Sequence, residues 1–264
     1  MDVRDLVTGH YGAAEDLATV ILRALSAAGV DIDHLGAADL FPVDQLHAGG
    51  APASRHVLDR LEVAPGVRLL DVGCGIGGAA RMAAMTGATV TGIDLTPEFV
   101  ETARLLSDRV GLGDRTEFRT TAGESMPLDD GSFDAAVMVH VGMNVPDKTA
   151  VFAEVHRVLR PGGRFALYEQ VRTGEGELPY PLPWAQDDRS SFVETVADYR
   201  AALEAAGIEV EAEEDRTPAT LGPPPQGPVN NAVVFGPPFM HRIANNVAAT
   251  KAGLLGAWLL LTRA

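Results

Sequence analysis

A chain of 264 residues with 21 Lys and Arg against 36 Asp and Glu carries a formal charge of −15. That balance repels phosphate backbones and anionic lipid surfaces, so neither nucleic-acid nor membrane partners are expected. The single cysteine, Cys74, rules out an internal disulfide, and the longest apolar stretch, 253–261, is about half of what a bilayer requires.

The opening residues, Met1-Asp2-Val3-Arg4-Asp5, have no signal character, which predicts a cytoplasmic protein. A first helix is predicted over 15–28, with Leu17, Val20, Ile21, Ala24, Leu25 and Ala28 on one face and Gly29 as its stop. Strands are predicted over 68–72, 89–94, 116–119, 133–139 and 164–169, and helices fall between them. Thr96 and Pro97 start one such helix, with Glu98 at its positive end. Another spans 147–159 and closes at Arg160-Pro161-Gly162-Gly163. Alternation of this kind builds a parallel sheet with helices on both faces. Ser191-x-x-Glu194 reads as a capping box opening a helix that runs to Gly207. The closing strands are expected at 208–215 and 258–262, about forty residues apart. Between them lie two proline-rich pieces around Ala232-Val233-Val234-Phe235, then a helical stretch over 241–255. Insertions of this length are usually functional, which predicts a lid over a ligand, a dimer contact, or both.

The densest signal is Leu69-Leu70-Asp71-Val72-Gly73-Cys74-Gly75-Ile76-Gly77-Gly78-Ala79. A buried strand ends in a carboxylate and turns through glycines into a helix of small residues, leaving bare main chain for a ligand. Gly73, Gly75 and Gly78 satisfy the dinucleotide spacing G-x-G-x-x-G, so a nicotinamide or flavin oxidoreductase has to be weighed. Asp71 argues against it, because a carboxylate there repels a pyrophosphate and attracts an ammonium or sulfonium group. Asp94, ending the next apolar run, suits the two hydroxyls of a ribose. S-adenosylmethionine carries both cations and no phosphate.

Asp71 to Gly77, Thr91 to Pro97, Met126 to Asp134 and Glu154 to Arg164 stand in the order and spacing of the class I S-adenosylmethionine-dependent methyltransferases. The chain resembles the small-molecule group that methylates quinones, sterols and tocopherols, over roughly 56–170. That resemblance implies an α/β, Rossmann-like fold: a mostly parallel seven-stranded sheet with helices on both faces, an N-terminal helical cap and a lid insertion before the last strand. It divides the chain into a cap (1–55), a cofactor-binding core (56–216), an acceptor lid (217–256) and the last strand (257–264). It implies S-adenosylmethionine as cofactor, S-adenosylhomocysteine as product and no metal. Asp71 and the main chain at Gly73, with Gly75 and Gly77, would hold the methionyl end. Asp94 would hold the ribose, and Leu95 and Val139 would flank the cofactor. The family's acid after the third strand is absent. Ala122 and Gly123 occupy that place, so either Glu124 or the Gly123 main chain meets the adenine. Tyr11, ahead of the first helix, and His47, in Asp44-Gln45-Leu46-His47-Ala48-Gly49-Gly50, are further cofactor-side candidates.

Methyl transfer is an in-line displacement, so catalysis is mostly positioning and water exclusion, and a base matters only when the acceptor must lose a proton. His140 and Glu169, at the carboxyl ends of the fourth and fifth strands, are the catalytic candidates. A neutral histidine packed against the cofactor and a plain strand-end carboxylate are the other readings. Met143 and Trp184 are expected on the acceptor side, which favours a flat or greasy small molecule made in biosynthesis or secondary metabolism. A homodimer is compatible with this reading. So is a protein that binds the cofactor but catalyses a cyclisation or rearrangement without methylating.

Overall fold

The computed structural model describes residues 16–222 and 229–264. Seven strands form one sheet: β1 (Arg68–Val72), β2 (Thr89–Asp94), β3 (Thr116–Thr120), β4 (Phe133–Val139), β5 (Leu159–Arg172), β6 (Glu209–Asp215) and β7 (Leu255–Arg263). Their order is β3-β2-β1-β4-β5-β7-β6. β1 to β5 pair in parallel, and β7 runs antiparallel between β5 and β6.

The central strands are apolar because both of their faces are covered. Leu69 and Leu70 of β1 and Ala136 and Met138 of β4 are fully buried. One face takes α2 (Gly50–Arg60), α3 (Gly78–Met85) and α4 (Pro97–Arg109), through Val57, Leu58, Ala83, Val100 and Ala103. The other takes α5 (Lys148–Val158) and α6 (Val196–Ala205), through Val151, Phe152, Val155, Tyr199 and Leu203. Each of the Val, Leu and Phe side chains contributes about 1.5–3 kcal/mol by leaving water, so these stripes hold the layers together. β3 and β6 are the two edges, and the sequence of β6, Glu209-Val210-Glu211-Ala212-Glu213-Glu214-Asp215, lines its edge with charges that discourage pairing with another chain.

Two of the sequence motifs prove to be scaffolding. Glu154 on α5 accepts the Met126 N–H at 2.7 Å and pairs with Arg157 at 2.8 Å. Arg157 in turn donates to the carbonyls of Met126 and Leu128 at 3.0 and 2.8 Å. Asp134 pairs with both Arg68 and Arg160, at 3.3 and 2.9 Å. The loop before β4 is thus riveted to the helix that follows it.

Several predicted boundaries move. The first helix, α1 (Leu17–Ala27), starts at its N-cap Asp16, whose carboxylate accepts the Ala18 N–H at 3.2 Å. β5 is longer than expected because antiparallel pairing with β7 carries it out to Arg172. The predicted capping box at Ser191 and Glu194 is not one. Helix α6 opens on a box between Thr195 and Asp198, and the Glu194 carbonyl instead accepts the Arg172 N–H at 2.8 Å. The helix expected over 241–255 is α7 (Phe239–Lys251), and β7 already begins at Leu255.

The insertion is tied to the N-terminal region. Val229, Val233, Val234 and Phe235 pack on a cluster that includes Leu17, Ile21, Ile76 and Phe99. Asn231 Nδ2 donates to the Gln45 carbonyl at 3.2 Å.

Candidate active site

The carboxyl ends of β1, β2 and β4 converge with the glycine turn. Gly73 has φ 72°, and a Cβ there would stand 2.3 Å from Val141 Cγ2. We therefore expect Gly73→Ala to destabilise the fold by about 2–3 kcal/mol in thermal unfolding, with Val141→Ala recovering the steric part. The helix after the turn is pressed just as closely: a Cβ at Gly78 would meet the Asp44 carbonyl oxygen at 2.2 Å. Cys74 is a buried packing residue of this turn, and burial pushes its thiol pKa up.

Asp94 closes the turn. Its Oδ2 accepts the Gly75 N–H and its Oδ1 accepts the Thr96 N–H, both at 2.9 Å. Burial raises its pKa and these bonds work against the rise. Each carboxylate oxygen keeps a second lone pair for a hydroxyl donor. Asp71 is 2% exposed, and its Oδ2 has no hydrogen-bond partner. Burial, and then the charge of Asp94, push its pKa up to about 7. A buried, unpartnered carboxylate oxygen beside bare glycine main chain fits an ammonium group. Leu95, Ala122, Gly123, Glu124 and Val139 are all half-buried along the same rim. Tyr11 lies outside the described residues.

A cluster of rings stands at the end of β4. His140, directly after β4, adopts left-handed backbone at φ 53°, and its N–H donates to the Tyr168 carbonyl at 2.8 Å. Its ring lies 5.0 Å from Tyr168 and 5.7 Å from His47, centroid to centroid. Nε2 of His140 is buried with no partner. Burial, reinforced by His47, holds its pKa well below the ordinary histidine value, so the ring is neutral at pH 7. Tyr168 was not picked out from sequence. Its hydroxyl donates to the Ala48 carbonyl at 3.1 Å, and burial raises its pKa. Strand parity was the missed signal, since neighbours in a strand point to opposite faces.

That parity relocates Glu169. It lies within β5, on the side of Phe165, Leu167 and Val171 that packs on α5 and α6. Oε1 accepts the N–H groups of Val141 and Gly142, both at 3.0 Å, so this carboxyl clamps the loop behind His140. Burial pushes its pKa up to about 8. Met143 is buried, and its carbonyl accepts the Phe192 N–H at 2.8 Å. Trp184 joins a separate cluster around Leu182, Ala249 and Leu255, and its indole N–H donates to Ser191 Oγ at 2.9 Å. His47 has both ring nitrogens engaged, by Ala48 O at 3.1 Å and Ser54 Oγ at 2.8 Å. Among the described residues no group of His, Cys, Asp and Glu is placed to hold a metal. No described helix is long and apolar enough to cross a membrane.

Residues 70–167 match a family described as a methyltransferase domain. Methyltransferase GfsG of Streptomyces halstedii is 33% identical over 213 residues, spanning 78% of this chain and 75% of GfsG. Sterol methyltransferases also match, over between about a third and under half of their own length. A geranyl diphosphate C-methyltransferase from Streptomyces coelicolor A3(2), solved with S-adenosyl-L-homocysteine, covers 100% of this chain and 98% of its own, at TM-score 0.70 and 19% identity. The [4+2]-cyclase SpnF covers 100% and 97%, at TM-score 0.68 and 24% identity. At these identities the two structures establish the fold alone. The alignment with GfsG carries the relationship further, and the chain belongs to the S-adenosylmethionine-dependent methyltransferases.

Proposed function

We propose that this enzyme methylates a small, hydrophobic or aromatic acceptor, and that His140 takes the proton the acceptor loses. The observation that carries this reading is the buried, unpartnered Nε2 of His140, set among the rings of His47 and Tyr168 at the carboxyl edge of the sheet. S-adenosylmethionine supplies an electrophilic methyl group when bound. Asp71 and the Gly73 main chain would hold its ammonium end, Asp94 its ribose, and Leu95, Val139 and the 122–124 segment its adenine side. A base must be unprotonated to act, and burial keeps His140 so at neutral pH. Glu169 serves as a positioning residue, fixing through Val141 and Gly142 the loop that leaves His140. The described parts of the insertion, 217–222 and 229 onward into α7, would roof the acceptor, and residues 223–228 of the expected lid lie outside the described residues. Thr220 Cγ2 lies 3.8 Å from the Cβ position of Gly49, beside the Tyr168 hydroxyl.

The test is calorimetric titration with S-adenosylhomocysteine, with NADH as the comparison, followed by turnover assays. His140→Asn should bind S-adenosylhomocysteine within about threefold of wild type and lose about 10²–10⁴ in turnover. Asn is chosen because it tolerates left-handed backbone. Equal loss of binding would make His140 a cofactor residue instead. S-adenosylhomocysteine formed one-for-one with product separates methyl transfer from cyclisation or rearrangement on the same scaffold, in which the cofactor is not consumed.

A further inference from the structure

A buried chain of polar groups links the glycine-turn helix to the histidine beside His140. Arg81 on α3 donates through Nη2 to Asp44 Oδ2 at 2.9 Å, with both side chains at 0% exposure. A carboxylate can only accept, so the Gln45 amide must turn its NH2 towards Asp44 Oδ1, at 2.8 Å. Gln45 Oε1 is thereby left facing Ser54 Oγ at 2.5 Å, and the serine has to donate. Its one proton is then used. What Ser54 presents to His47 Nε2, at 2.8 Å, is a lone pair, and Gln45 Oε1 is a second acceptor at 3.3 Å. Both atoms opposite Nε2 are acceptors. Nδ1 likewise faces a carbonyl, Ala48 O, at 3.1 Å.

We propose that Gln45 and Ser54, oriented by the Arg81–Asp44 ion pair, are positioning residues that lock His47 as its Nε2–H tautomer and so set the charge beside His140. The link to turnover rests on the reading of His140 as the acceptor-side base. The lock itself does not. A second proton goes to Nδ1, where Ala48 O is waiting to accept it. The ionisable groups around His47 are Asp44 with its partner Arg81, His140 from the end of β4, and Tyr168 from β5, near which Arg216 places its charge. Burial opposes that second proton, while the Ala48 carbonyl and Asp44 favour it. Removing Ser54 takes an acceptor from Nε2–H and makes cationic His47 less favourable. With less positive charge nearby, His140 picks up its proton at higher pH.

The experiment is 15N-histidine NMR on the whole protein, which reads the proton on each ring nitrogen without reference to activity. Wild type should show neutral His47 as Nε2–H. Ser54→Ala should lose that preference, and Ser54→Thr should keep it. In parallel, Ser54→Ala should move the acid limb of kcat/KM upward by about half a pH unit, with S-adenosylmethionine KM unchanged. An Nδ1–H tautomer in wild type overturns the proposal. So does a Ser54→Ala protein with an unaltered tautomer whose kcat/KM falls equally at every pH. If Ser54→Ala fails to fold, the tautomers of wild type and Ser54→Thr decide alone. If His140→Asn keeps full turnover while the His47 tautomer still responds to Ser54, the base assignment fails and the lock stands.

Discussion

Asp94→Ala should weaken S-adenosylhomocysteine binding by about 10²–10⁴ in calorimetry, while the melting transition stays cooperative. The carboxylate does two jobs from one place. It accepts the N–H groups of Gly75 and Thr96, which holds the turn in its binding shape, and its remaining lone pairs suit a ribose diol. A hydrogen bond to a charged group is worth about 1.5–3 kcal/mol, so losing two from the ligand gives about 3–6 kcal/mol. Asp94→Asn should fall in between, because one amide oxygen replaces two carboxylate oxygens and the NH2 must face a donor. Near wild-type affinity in the alanine variant would remove the ribose assignment.

Arg81→Met should cost about 3–5 kcal/mol of stability, because it leaves Asp44 charged and unpaired at 0% exposure. The substitution also strips a donor from the Ile76 carbonyl, at 2.8 Å, and from Ser107 Oγ, at 3.2 Å. For a protein of this size the melting temperature should drop by roughly 6–20 °C. The double variant Arg81→Met with Asp44→Leu should regain most of that loss, since a buried ion pair replaced by apolar groups of similar volume is often neutral. If the double variant melts no higher than the single one, the pair is needed for shape and not only for charge balance.

The cofactor half of the site was legible because local physics writes it into a short stretch. A strand ending in Asp71, a turn that must be glycine, and a second strand ending in Asp94 are all periodicity and backbone signals. β1, β2 and β4 consequently fall where the sequence puts them. The motifs Met126 to Asp134 and Glu154 to Arg164 are equally recognisable in sequence, and the bonds of Glu154, Arg157, Asp134 and Arg160 brace the fold. The acceptor half was read less well. His140 was found by its place after β4. The opposite roles of Tyr168 and Glu169 depend on which face each strand residue takes, and β5 is framed by antiparallel pairing with a strand some ninety residues later. Trp184 was placed on the acceptor side because it is aromatic, whereas its surroundings, Ser191 and the cluster of Leu182, Ala249 and Leu255, are set by tertiary packing that no sequence pattern announces. The relay through Gln45 and Ser54 has no sequence signature, because it is defined by proton counting between side chains that meet only in the folded chain.

The packing of 229–235 onto α1 has a consequence for recombination. Val229 and Phe235 share a core with Leu17, Ile21 and Phe99, and Asn231 is hydrogen-bonded to the backbone beside His47. The insertion and the N-terminal helix therefore form one inheritable block, although some two hundred positions of chain separate them. A chimera that exchanges the insertion alone strands an apolar helix face in water. Crossovers that move α1 together with the insertion keep that contact intact, and the choice of parents then narrows to those that match at Ile76 of the glycine turn and Phe99 of α4, which share the same cluster.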